Sequence, residues 1–252
     1  MLALTREISA AISHCELTHL ERVQIDLDLA REQHGEYERA LERAGCAVER
    51  LGTSDAMPDS VFIEDTAVVL NEVAIITRSG AASRRDERAA VREALARHRS
   101  VQTILGPGTV DGGDVLVIGP RVFIGRSTRT DDAGIEEVRK LVERLGYAVT
   151  PVAVTHSLHL KSAVTALGEK AVLLNPEWID QEAFRDLKRI LVDPREPFAA
   201  NALEIDGHVI YSAEFPRTRK WIEGAGFEVD AIPMSELAKA EGAVTCGSLI
   251  VR

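Results

Sequence analysis

VFIEDTAVVLNEVAIITRSGAASRRDERAAVREALARHRSVQTILG, residues 61–106, decides the fold. VFIEDTAVVL and VAIITR are apolar runs separated only by Asn71 and Glu72, so they read as two strands joined by a tight turn. SRRDERAAVREALARH carries its apolar positions at helical spacing, and VQTILG follows as a third strand. A doubly wound sheet alternates one strand with one helix, whereas here three strands accompany each helix.

The same order recurs along the chain. GGDVLVIG, a turn at Pro120 and RVFIG precede the helix TRTDDAGIEEVRKLVERLG and the strand YAVTPVAV. LHLKSAVTAL and KAVLLN precede a helical DQEAFRDLKRI and the strand LVDP. AANALEIDG and HVIYSA precede PRTRKWIEGAG and FEVDAIPM. A fifth unit has to be assembled from both ends: GAVTCGSLIVR and LALTRE give two strands, DLDLAREQHGEYERALERAG the helix and CAVERLG the last strand. Gly45, Gly146 and Gly226 end helices as left-handed C-caps do. A period of about 40–50 residues indicates a radial array or a solenoid, and a unit shared by the two ends favours closure, which removes exposed strand edges. The expected fold is α/β, a closed five-bladed propeller of strand–strand–helix–strand units. It forms a single domain over residues 1–252, with an open α/β sheet as the alternative.

Composition limits the function. The chain is 45% hydrophobic and 28% charged, as ordered globular proteins are. A net charge of −10 and only 4% aromatic residues argue against a nucleic-acid or anionic-membrane partner and suit a cationic ligand. No apolar run approaches the ~18 residues of a membrane span, and the N-terminal stretch lacks the pattern of a signal peptide. Cys15, Cys46 and Cys246 are odd in number, far apart and without a CxxC pair, which speaks against a disulfide framework and a zinc site. A cytoplasmic protein with reduced thiols is expected, with no metal and no cofactor.

Each unit's first strand begins with or contains a polar residue that is odd in a core. These are Glu64 and Asp65 in FIEDTA, Asp111 and Asp114 in DGGD, His159 in SLHLKSA, Asn201 in AANAL and Cys246 in VTCGS. Their recurrence at the repeat period points them all toward the axis of a closed ring. Arg78 in ITRSG, Arg129 in GRSTRTD and Arg217 in FPRTRK follow second strands, and a guanidinium fork suits a carboxylate partner. Plainer readings exist for each. The aspartates of DGGD can cap a turn, His159 between Leu158 and Leu160 can be a satisfied core histidine, and Arg78 and Arg129 can be solvated charges. Cys246 in an apolar run can be core, as free cysteines often are. Glu64 and Asp65 are harder to dismiss, because adjacent acids in a strand face opposite sides and both need partners.

A cysteine, a histidine and a carboxylate together supply a nucleophile, a general acid/base and a group that orients the imidazole. Further carboxylates bias the site toward a cation, and two of them can take the several N–H donors of a guanidinium. Attack of Cys246 on the guanidinium carbon, with His159 protonating the departing nitrogen, leaves a thiouronium that water hydrolyses. Nearby acids raise a thiol's pKa, so the resting cysteine is expected to be neutral and activated by the bound cation.

PDSVFIEDTA, ITRSGAASRR, TVDGGDVL, STRTD, LHLKS, AAN, SEL and GAVTCGSL run nearly end to end, and in combination they resemble the dimethylarginine dimethylaminohydrolases of the guanidino-group-modifying (pentein) superfamily. The resemblance implies a five-bladed propeller and metal-independent conversion of asymmetric dimethylarginine, or monomethylarginine, to citrulline and an alkylamine. It implies Cys246 as nucleophile, His159 as proton donor and later base, and Asp111, where some relatives carry glutamate, as the acid that orients His159. It places Asp59, Glu64 and Asp65 at the substrate, with Asp65 on the guanidinium, and Arg78 and Arg129 on the amino-acid end. Leu17 matches a lid-loop residue, and Ala240 one whose backbone touches the ligand. The implied partner is a small guanidino substrate; oligomeric state stays open, with a homodimer as one possibility. An arginine deiminase is the runner-up, although this chain has no room for the helical insertion those enzymes usually carry. A propeller that only binds would have no use for the Cys246, His159 and Asp111 combination.

Overall fold

The structure, a computed structural model, describes residues 1–252. In chain order the regular elements are β1 (Leu2–Arg6), α1 (Leu27–Arg43), β2 (Ala47–Leu51), β3 (Ala67–Val69), β4 (Val73–Ile76), α2 (Arg88–Ala96) and β5 (Ser100–Thr103). There follow β6 (Val115–Ile118), β7 (Arg121–Arg126), α3 (Asp132–Val142), β8 (Ala148–Ala153), the one-turn α4 (Leu160–Ala163), β9 (Val164–Leu167), β10 (Ala171–Leu174) and β11 (Lys188–Leu191). The chain continues with β12 (Ala202–Ile205), β13 (His208–Ser212), α5 (Pro216–Gly224), β14 (Glu228–Ile232), α6 (Ser235–Ala238) and β15 (Leu249–Val251).

The strands form five separate three-stranded sheets, ordered β3-β4-β5, β6-β7-β8, β9-β10-β11, β12-β13-β14 and β15-β1-β2. In each, the first strand pairs antiparallel with the second and the second parallel with the third. The fifth blade joins the two ends as expected: Leu2 faces Val251 and Leu4 faces Leu249 on one side, and Leu2 faces Ala47 on the other. A cavity of about 490 Å³ is lined by the first strands of all five sheets, at Val68, Leu116, Ala166, Leu203 and Ile250 among others, and marks the propeller's axis. Closure comes from blades packing against one another, not from a continuous hydrogen-bonded barrel.

Local chemistry explains the blades. α1 starts at Asp26, whose Oδ1 accepts from the amides of Asp28 and Leu29 at 3.1 Å, and it stops before Gly45 at φ +89°. Ala30, Tyr37, Ala40 and Leu41 form its buried stripe and pack with Phe62, Met234 and Leu237. Burying Tyr37 or Leu41 contributes about 2 kcal/mol each by area. Gly146 and Gly226 also take positive φ where their helices end.

Two expectations change. The polar positions lie in the turns that feed the first strands, not within them. Ile63–Thr66 and Gly112–Asp114 are 3₁₀ turns, His159 is the N-cap of α4, and Cys246 precedes β15 in a turn. Glu64 and Asp65 therefore need not face opposite sides of a sheet. In the third unit, DQEAFRDLKRI is not a single helix. Its start is the 3₁₀ turn Gln181–Phe184, capped by Asp180, and Lys188–Leu191 is β11, which the parallel ladder with β10 pulls into the sheet.

Candidate active site

The turns before β3, β6, β9 and β15 converge at one end of the axis. Gly112 and Gly113 let them do so. A Cβ on Gly112 would lie 2.0 Å from the Glu64 carbonyl oxygen, and one on Gly113 would lie 2.7 Å from both Asp65 Oδ1 and His159 Nδ1.

His159 is the centre of the cluster. Its Nε2 lies 3.1 Å from Asp111 Oδ2 and its Nδ1 lies 3.8 Å from Asp65 Oδ1. Asp111 is fully buried, and its other oxygen accepts from the Gly80 amide at 3.1 Å, which fixes the carboxylate plane. Asp65 accepts from Arg84 Nη1 at 2.6 Å and from the Gly113 amide at 3.1 Å. Glu64 accepts from Lys161 Nζ at 2.5 Å and from Thr245 Oγ1 at 2.8 Å, beside the nucleophile candidate. Asn201 clamps this corner by accepting from the Thr245 amide at 3.0 Å and donating to the Lys161 carbonyl at 2.9 Å. Cys246 is tied in through its backbone, its carbonyl accepting from the Glu64 amide at 3.2 Å.

The electrostatics follow from burial and charge. Burial pushes the Cys246 thiol up, with Glu64 and Asp65 adding to the effect, to about 12. Burial works against charge on His159, but the charge of Asp65, the hydrogen bond the imidazole donates to Asp111 and the charge of Asp114 overcome it and raise the imidazole to about 9. Burial likewise disfavours charge on Asp65, yet His159 and Arg84 hold its carboxyl low. At neutral pH the resting site is therefore a neutral thiol beside an imidazolium. Ligand atoms of Asp65, Asp111 and His159 lie within 4.8 Å of one another, close enough to meet on one ion. Arg84 already pairs with Asp65, and its charge together with the imidazolium opposes the concentrated charge of a divalent ion among these three ligands.

Of the expected substrate residues, Glu64 and Asp65 reach the axis. Asp59 and Arg129 meet the loop before α1 instead: both Asp59 oxygens accept from the Glu16 amide, at 3.0 and 3.2 Å, and Arg129 Nη2 lies 3.3 Å from Thr18 Oγ1. Leu17, in that loop, and Ala240, after α6, both pack against the core beneath α1. Arg78 lies apart, its Nη1 donating to the carbonyls of Pro107 at 2.9 Å and Gly108 at 3.2 Å. Arg217 sits at the start of α5, its amide held by Glu196. Asp114 is the capping aspartate of the plainer reading, accepting from Ser127, Thr130 and the Leu160 amide.

Two site residues escape the sequence reading. Arg84 is 6% exposed and bridges Asp65 and Glu87, although SRRDER reads as a solvated helix face. Lys161, two residues after His159, is the partner of Glu64. The available signal was the need for cations: Glu64 and Asp65 are too costly to bury without them.

A propeller whose axis gathers a cysteine, an imidazolium and several acids is the arrangement of the guanidino-group-modifying, or pentein, enzymes. A family model described as N,N dimethylarginine dimethylhydrolase, eukaryotic, matches residues 4–196. The chain is 41% identical over 251 residues to the N(G),N(G)-dimethylarginine dimethylaminohydrolase of Streptomyces coelicolor, covering 99% of this chain and 96% of the relative. It is 35% identical to the enzyme of the same name from Pseudomonas aeruginosa, covering 89% of each. A solved structure of the P. aeruginosa enzyme, a cysteine-to-serine variant complexed with citrulline, superposes with a TM-score of 0.94 at 33% identity and covers 98% of this chain and 97% of its own. The chain belongs to the dimethylarginine dimethylaminohydrolase family.

Proposed function

We propose that residues 1–252 form one catalytic propeller that hydrolyses asymmetric dimethylarginine, and monomethylarginine, to citrulline and the alkylamine. The observation that carries the reading is the His159–Asp111 pair, buried beside Asp65, whose chain neighbour Glu64 binds the turn that bears Cys246 through Thr245 and the Cys246 carbonyl. The substrate guanidinium would meet Asp65 and Glu64, with Arg84 holding the Asp65 carboxylate in place. Arg129 and Asp59, both at the lid, take the amino-acid end together with Leu17 and the Ala240 backbone. A role for Arg78 at that end would require its guanidinium to leave Pro107 and Gly108.

The cation of the substrate lowers the thiol's pKa, and the thiol gives up its proton to solvent as Sγ attacks the guanidinium carbon. His159, protonated at rest, donates its proton to the substituted nitrogen, and the C–N bond breaks to release the amine. Cys246 is left as an S-linked thiouronium. The now neutral His159 takes a proton from water, hydroxide adds to the same carbon, and collapse breaks the C–S bond to give citrulline. The adduct's hydroxyl proton leaves to solvent as the C=O forms, His159 returns its proton to the sulfur, and uptake of a proton from solvent restores the resting imidazolium. Asp111 keeps the imidazole oriented through both halves. Three unpaired thiols fit a reducing, cytoplasmic setting.

Citrulline release from asymmetric dimethylarginine, with arginine and Cys246→Ser alongside, tests the reading. Release from the methylated substrate that disappears in the variant is expected. Turnover of arginine alone would move the chain to deiminase chemistry, and no citrulline from either would leave a propeller that only binds.

A further inference from the structure

The loop between β1 and α1 lies over the end of the ring formed in part by Leu158 and Ala243, close neighbours in the chain of His159 and Cys246. It touches Asp59 and Ser83 on one blade through Glu16, and Arg129 on the next through Thr18. Its His19 and Leu20 roof a cavity of about 220 Å³ whose walls include Leu158, Asn201 and Ala243. Beneath its tip stands Glu241. One carboxylate oxygen, Oε1, accepts from three consecutive loop amides: Thr18 at 3.0 Å, His19 at 2.6 Å and Leu20 at 2.8 Å.

Two further features set Glu241 apart from an ordinary loop anchor. Its backbone has φ +60°, a left-handed conformation that favours glycine, and its amide closes the turn after α6 onto the Ala238 carbonyl. A glutamate there costs about 1 kcal/mol of backbone preference that a glycine avoids. Its second oxygen, Oε2, is shut from solvent with no partner. Closing the loop therefore gains three charge-assisted hydrogen bonds and strips water from one carboxylate oxygen, so the two terms oppose each other. Such a balance suits a contact that must form and break in every turnover.

We infer that Glu241 is the latch of the lid, a positioning residue that holds Thr18–Leu20 over the active site while substrate is bound. The inference rests on the proposed reaction only in taking the substrate to lie beneath the loop. By keeping Leu17 and Thr18 against the site, the latch acts on substrate retention more than on the chemical step.

Glu241→Gly removes the carboxylate and relaxes the backbone, so the turn after α6 should hold. Hydrogen exchange of the full chain without substrate should show the amides of Thr18, His19 and Leu20 exchanging on the order of tenfold to a hundredfold faster, with blade amides unchanged. KM for dimethylarginine should rise roughly tenfold and kcat should change less. Glu241→Gln keeps one acceptor oxygen and should fall between wild type and glycine on both measures. Unchanged exchange at Thr18–Leu20 in the glycine variant, or a loss of kcat as large as the rise in KM, overturns the latch. The exchange measurement needs no turnover, so it stands even if no arginine derivative is hydrolysed.

Discussion

Asp114 at the axis accepts three hydrogen bonds, from Ser127, Thr130 and Leu160, whereas Glu241 at the rim accepts three from consecutive amides of a single loop. The first carboxylate is fully buried and both its oxygens are satisfied; the second belongs to a half-buried residue and keeps an orphan oxygen. The same pattern extends outward from each. Asp65, Asp111 and Glu64 each bind at least two groups rooted in the blades. The lid is held by side chains on main-chain amides, with Val23 52% exposed and Leu20 38% exposed. The axis is built to stay still, because opening it would uncover several paired charges at once. The lid is built to yield, since its opening releases a few bonds to water.

That contrast can be broken by substitution. Asp111→Asn should cost the most, about 10²–10³-fold in kcat with little change in KM, because a neutral amide is a poorer partner for an imidazolium than a carboxylate. A large KM effect instead would place Asp111 at the substrate. Arg84→Ala leaves Asp65 and Glu87 buried without their cation and should lower unfolding stability by about 3–5 kcal/mol in denaturant titration. Arg78→Ala gives the sharper comparison: it frees two loop carbonyls near solvent and should cost about 1 kcal/mol. Equal losses would mean that the Asp65–Arg84–Glu87 cluster is no more of a keystone than the 106–108 loop.

A subtler effect concerns pH. Donation to the leaving nitrogen needs protonated His159, whose imidazolium is favoured by its acidic neighbours, so kcat should fall on the alkaline side as that proton is lost. Asp65 supplies the largest charge holding that proton. Asp65→Asn removes it, the imidazolium becomes less favourable, and the alkaline limb should move to lower pH in saturating substrate. A limb that stays in place would assign it to another group.

The axis was legible in the sequence because it repeats. A polar residue at the same place in successive units gave Glu64, Asp65, Asp111, His159 and Cys246, and the shared fifth blade followed from counting strands. The strand-or-turn state of those positions was not legible, because a polar residue before an apolar run looks the same in either. KRIL in the third unit reads as the end of an amphipathic helix until its parallel partner Ala171–Leu174 is known. Arg84 hides among charges whose spacing suggests solvent, and only the three-dimensional closeness of Asp65 and Glu87 buries it. The lid contacts join residues 18–20 to 241, with no repeat to announce them.

The fifth blade has one more consequence, for the order in which the molecule is made. Four blades are each built from a continuous stretch of chain and can form locally. The fifth needs Leu2–Leu4 to find Leu249–Val251, the most distant pairing in the protein, with the largest loss of chain entropy on meeting. Cys246 stands three positions before that last strand. A partly folded chain can thus hold His159 and Asp111 in place while its thiol is still adrift, so catalytic competence arrives with the final act of folding.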